Sequence, residues 1–165
     1  MNADRHKTGP DDIGEQVVAA LEAHQRRTVM VLRDRADDPE AVVMALVRLH
    51  LEWTEEDRER AIMVGRERNA VAAGPLGERL AASNREWFSE MKSWIDTQAA
   101  AGRIEPVSFN LLHAVVFAPT QEIAKLWLTG RLKRDPTEYA EPLGRAAWAS
   151  VKSLPARQMS FPETS

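Results

Sequence analysis

Apolar positions recur at intervals of three and four along most of this chain, and no sustained alternation of period two occurs. No Asn-Gly or Asp-Gly pair marks a hairpin turn. The pattern predicts an all-α protein, a bundle of about six helices. Val17, Val18, Leu21, Val29 and Leu32 define a first helix over residues 11 to 35, with Asp11 and Asp12 as caps and Glu15 at the capping-box spacing. Asp37-Asp38-Pro39 opens a second over residues 39 to 54. Its stripe of Val42, Leu46, Leu49, His50 and Trp53 is flanked by Val43, Val47 and Leu51, so a wide arc is expected to be buried. Residues 55 to 68 form a third helix, acidic at its start and basic at its end, as the helix dipole favours.

Gly74-Pro75 breaks the chain. A long fourth helix over residues 76 to 101 places Leu80, Asn84, Trp87, Met91, Trp94 and Gln98 on one face, and Gly102 stops it. The fifth, residues 108 to 130, carries Leu112, Val116, Pro119, Ile123, Leu126 and Trp127 on one dense apolar face. Its other side holds Ala114, Phe117, Ala118 and Leu128, so it needs cover on two sides. Asp135-Pro136-Thr137-Glu138 then combines cap, first-turn proline and capping-box glutamate, opening a sixth helix. Tyr139, Leu143, Ala146, Ala147 and Val151 mark its buried side. Small residues at 140, 144, 146, 147 and 149 permit close helix–helix approach. Two such helices near the carboxyl end point to a two-fold homodimer.

Pro119 interrupts the fifth helix. In an unbroken α-helix it would remove the amide that bonds to Val115 and push its ring against that turn, at a cost of roughly 3 kcal/mol. The resulting bend either fits the helix around the core or separates a cavity-lining half from a partner-binding half.

The 165 residues suffice for one domain with a sizeable core, expected over residues 11–154. Residues 1–10 read as a disordered or remnant segment and residues 155–165 as a flexible tail. Hydrophobic residues at 44% and charged residues at 28% give a globular composition. A net charge of −3 argues against a chain that grips nucleic acid by itself. The absence of cysteine excludes disulfides and thiolate chemistry, in keeping with a cytoplasmic setting. No apolar run approaches the ~18 residues of a membrane span.

Catalytic patterns are missing. His6, His24, His50 and His113 form no H-x-x-x-H pair, so no metal site is expected. There is no phosphate-cradling glycine loop and no Gly-x-Ser-x-Gly elbow. The chain is therefore read as a non-enzyme, without catalytic residues or cofactor. What remains is polar residues on apolar stripes: His50 beside Trp53, Asn84 and Gln98 in line with Trp87, Met91 and Trp94, and His113 and Gln121 flanking Phe117. Such groups are either satisfied within a core or interface, or they orient a ligand in an aromatic-walled cavity.

The run A-P-T-Q-E-I-A-K-L-W-L-T-G-R, the D-P cap, and A-E-P-L-G-R-A-A-W-A-S-V after it resemble the C-terminal region of tetracycline-repressor (TetR) family regulators. The segment L-x-W-T-E-E-D-R-E-R-A and the Trp-rich helix ending A-A-A-G-R-I are similar to that family's effector-binding domain. The resemblance spans about residues 13 to 152. It implies a TetR C-terminal-domain-like fold whose last two helices build a four-helix dimer interface. It also implies a small apolar or aromatic effector held by His50, Trp53, Trp87, Met91, Trp94, His113, Phe117 and Gln121. Dimer contacts would come from Ile123, Leu126, Trp127, Tyr139, Leu143, Ala147 and Ser150. Members normally begin with a helix-turn-helix domain, for which the residues before the first helix leave no room. DNA binding is expected only through such a domain and not from this chain, and no membrane partner is expected. The competing expectation is a helical homodimer that binds neither ligand nor DNA.

Overall fold

The computed structural model describes residues 9–155. Expectations for the first eight residues and for the tail beyond residue 155 lie outside these. The described residues are all helical in architecture, with no strand among them. Helix α1 (Pro10–Asp34) begins earlier than the acidic pair suggested. Gly9 is its N-cap, without a side-chain cap bond, and Pro10 occupies the first turn, where a missing amide costs nothing. Helix α2 (Pro39–Glu56) is capped by Asp38, whose carboxylate accepts from the Ala41 amide at 2.9 Å. Asp57 separates α2 from α3 (Arg58–Ala73) and caps the latter by accepting from the Arg60 amide at 2.9 Å. The break thus falls two residues beyond the expected one, at the residue able to satisfy free amides.

Helix α4 (Gly77–Ala100) ends at Gly102, whose φ of +68° lets the Arg103 amide close onto the Gln98 carbonyl at 3.0 Å. The proline-bearing rod is three pieces: α5 (Phe109–Leu112), a π turn (His113–Phe117) and α6 (Ala118–Leu128). In the π turn the Ala118 amide bonds to the His113 carbonyl. Pro119 lies just after it, in the first turn of α6. The backbone stays helical through Leu112, His113, Phe117 and Ala118, so the proline follows a π bulge within one continuous rod, and the expected kink is replaced by a turn holding one extra residue. Gly130, at φ +74°, closes α6. A 3-10 turn (Pro136–Tyr139), capped by Asp135, leads into α7 (Ala140–Ser153).

Two apolar cores hold the bundle. The larger joins α2, the C-terminal half of α4, the α5–α6 rod and α7, with Val42, Val43, Leu51, Met91, Leu112, Val116 and Val151 almost fully buried. The smaller joins α1, α3, the end of α2 and the start of α4 through Val17, Val18, Trp53, Val64 and Leu80. Helices α2 and α7 pack closely: a Cβ at Gly144 would stand 2.7 Å from the Met44 sulfur. The small side of α7 thus faces α2 within one chain. Ala140, Gly144 and Ala147 are buried there with Trp148, while Ala146, expected inside, is exposed.

The π turn also changes which residues of α6 face inward. Thr120 and Ala124 are buried, continuing Leu112 and Val116 at four-residue spacing. Ile123, Leu126 and Trp127, expected at the centre of the buried face, are only partly buried. An unbroken α-helix would have turned them further in. The extra residue rotates everything after it.

Candidate functional site

The residues expected to line one effector cavity fall into four places. Met91 and Trp94 lie inside the larger core at 0% and 6% exposure, so they fill space rather than wall it. Gln121 is exposed on α6. The other five divide between two separate aromatic clusters.

The first cluster joins α1 and α2. The His24 and His50 rings meet edge-on with centroids 5.3 Å apart, and their nitrogens His24 Nε2 and His50 Nδ1 are 3.3 Å apart. Trp53 covers both rings, at 4.9 and 6.1 Å. Arg60 lies over Trp53 at 5.0 Å and donates to the Trp53 carbonyl at 2.8 Å. Burial, with the nearby His50, Arg27 and Arg60 charges, lowers the His24 pKa to about 3. Burial alone lowers that of His50 to about 4. Both rings are neutral near pH 7, so one can donate a hydrogen bond to the other. His24 was missed as a candidate, although it follows Leu21 by three residues and Val17 by seven, on that buried stripe.

The second cluster gathers around the π turn. Trp87 meets Phe109 at 5.5 Å and Phe117 at 5.8 Å, both edge-on. Phe109 meets Phe88 at 4.8 Å and His113 at 5.9 Å, and His113 stacks on Phe117 at 5.6 Å. Phe109, His113 and Phe117 are spaced by four, which could have drawn Phe109 in from the start. The Trp87 indole N–H is buried without a partner. Burial and the Arg68 charge lower the His113 pKa.

Two grooves border Trp87. The larger, about 710 Å³, runs between α1 and α4. Its charges largely cancel: Arg79 grips Glu22 and Glu15 at 2.8 Å, and Arg33 pairs with Glu90 at 2.9 Å. The Arg79 hydrogen bond holds the Glu22 carboxyl below its usual range. Gln25 donates to Asn84 at 2.8 Å and accepts from Ser83, tying α1 to α4. The smaller groove, about 360 Å³, is lined by Arg68, Asn84, Arg85, Trp87 and Phe88.

The expected dimer residues also divide. Ala147 is 3% exposed inside its own chain and is not available to a partner. Ile123, Tyr139 and Leu143 lean on the larger core while half-exposed. Leu126 and Trp127 are half-exposed and pack on neither core; Arg58 lies over Trp127 at 5.5 Å and donates to the Leu128 carbonyl at 2.9 Å. Ser150 is half-exposed and donates to the Ala146 carbonyl.

Among the described residues no group of three or more His, Asp and Glu side chains is placed to hold a metal ion, and no helix is long and apolar enough to cross a membrane. No protein-family model and no curated protein sequence matches the chain.

Proposed function

We propose that this chain is the effector-binding and dimerisation domain of a ligand-responsive regulator of the tetracycline-repressor type. The observation that carries the reading is the outer flank of α6. Leu126 and Trp127 are only partly buried and belong to neither core, beside the partly buried Ile123, Tyr139 and Leu143. A second copy would cover this flank about a two-fold axis, with the exposed small side of α7 at Ala146, Ala149 and Ser150 allowing close approach. The effector is small and apolar or aromatic, and it binds beside Trp87, His113 and Phe117. Its binding favours one arrangement of the α4–α6 unit over another.

Light scattering on the chain and on Leu126→Glu tests the dimer. The native chain should have twice the monomer mass and the variant the monomer mass. A native monomer, or a variant dimer of unchanged affinity, removes the interface. A thermal-shift screen of apolar and aromatic compounds tests the sensor, since a ligand of the folded state raises the melting temperature by mass action. No retardation of DNA by this chain alone is expected. Sequence-selective, salt-sensitive retardation would contradict that.

The filling of the expected cavity by Met91 and Trp94 favours a second reading, a helical homodimer that binds no ligand. A dimer with no hit in the thermal-shift screen would select it.

A further inference from the structure

Resting on the effector reading above, we propose that the groove between α3 and α4 binds an aromatic carboxylate, with Arg68 and Arg85 receiving the carboxylate and Trp87 and Phe88 the ring. Two features of this groove's lining carry the assignment, its charge and its aromatic wall. The lining contains no acidic residue, whereas the larger groove sets three glutamates against three arginines. Arg68 belongs to no ion pair among the described residues. Among the described residues Arg85 pairs only with Glu78, and both are widely exposed, at 65% and 82%. Surface pairs of that kind are weak and exchange readily for a better partner. The groove therefore carries positive charge that its own side chains do not neutralise. That charge extends to the neighbouring cluster, since Arg68 acts on His113.

The apolar half of the site is equally specific. Phe88 is 43% exposed at the groove, resting edge-on against Phe109, and Trp87 forms the wall behind it. An exposed phenylalanine beside the unpaired Arg68 and the loosely paired Arg85 offers a ring face and an anion partner together. The Asn84 side-chain oxygen is engaged by Gln25, which leaves its amide N–H groups for a ligand. A cationic ligand would be repelled by both arginines. A small inorganic anion would leave the aromatic wall unused.

Calorimetry on the full chain with 2-naphthoate, its neutral carboxamide and acetate tests the assignment. Naphthoate should bind, with the carboxamide and acetate each at least about tenfold weaker. Arg68→Gln, at an exposed position, should weaken naphthoate about tenfold. Arg66→Gln, on the same helix but outside the groove lining, should leave it unchanged and so controls for net charge. Carboxamide binding as tight as naphthoate, or an Arg68→Gln variant with native affinity, overturns the proposal while leaving an effector site in place. Absence of naphthoate binding also overturns it. The effector reading itself falls only if the broad screen on a confirmed dimer yields nothing.

Discussion

His24 Nε2 lies 3.3 Å from His50 Nδ1, so the two half-buried rings are within hydrogen-bonding distance between α1 and α2. Both pKa values are lowered from 6.5, to about 3 and about 4, chiefly by burial. The unfolded chain therefore binds protons at these rings before the folded chain does. Their stabilisation is complete above about pH 6.5 and is lost as the pH falls toward 4 and 3. At pH 5 the loss amounts to about 2 kcal/mol per ring. Urea unfolding at pH 8 and pH 5 should show it, and a double His24→Gln/His50→Gln variant should show a shallower dependence. Equal stability of the native chain at both pH values would contradict the neutral pair.

Gly144 gives α7 its close approach to α2. Beyond the 2.7 Å contact with the Met44 sulfur, a Cβ there would also stand 3.4 Å from the Met44 Cα, which is backbone and cannot swing aside. Gly144→Ala asks only the flexible thioether to move, and a helix-propensity gain of about 1 kcal/mol offsets that. Gly144→Val adds two methyl groups against α2 and should destabilise by about 1–3 kcal/mol in chemical denaturation. A valine variant as stable as the native chain would show that α2 and α7 have room to separate.

Pro119 distinguishes two accounts of the same bend. Were it straining the interior of an α-helix, Pro119→Ala would stabilise the chain by about 3 kcal/mol. It lies instead directly after a π turn that already redirects the hydrogen bonds of the rod. The expected change in urea unfolding is a destabilisation within about 1 kcal/mol, from the greater freedom of the unfolded chain. Strong stabilisation would return the proline to the role of a strained kink.

Gln98 is fully buried, donates to the Ala36 carbonyl at 2.7 Å and accepts from Arg103 at 3.3 Å. Arg103 also pairs with Asp37 at 3.0 Å, so the end of α4 anchors the turn between α1 and α2. Gln98→Leu keeps the volume and removes both bonds, and should cost about 1–2 kcal/mol. Amide exchange should quicken at residues 35–38. A more stable leucine variant would mean that the buried amide anchors nothing.

Much of this protein was legible in its sequence, because the signals are local. The Asp38 cap, the Gly102 and Gly130 stops and the Leu80–Gln98 stripe each depend on residues within a few turns of one another, and each is found where the pattern placed it. The end of the second helix was placed two residues early and the start of the third three residues early, since the periodicity runs on through residues 54–57 and only the Asp57 cap bond to the Arg60 amide marks the break. The grouping of site residues was less legible. His50 and Trp53 share a helix with Leu46, yet they meet His24 of α1, while Trp87, His113 and Phe117 meet one another elsewhere.

The sequence by itself determined an all-helical chain with named starts and stops, because 3.6-residue periodicity and capping chemistry act over short distances. Only the tertiary structure decided that Thr120 and Ala124 of α6 face inward, with Leu126 and Trp127 left at the flank. One added residue in the π turn rotates the rest of the rod. That turn forms where the bonding lost at Pro119 and the packing of α7 and α2 around Val116 are satisfied together, a balance no single segment encodes.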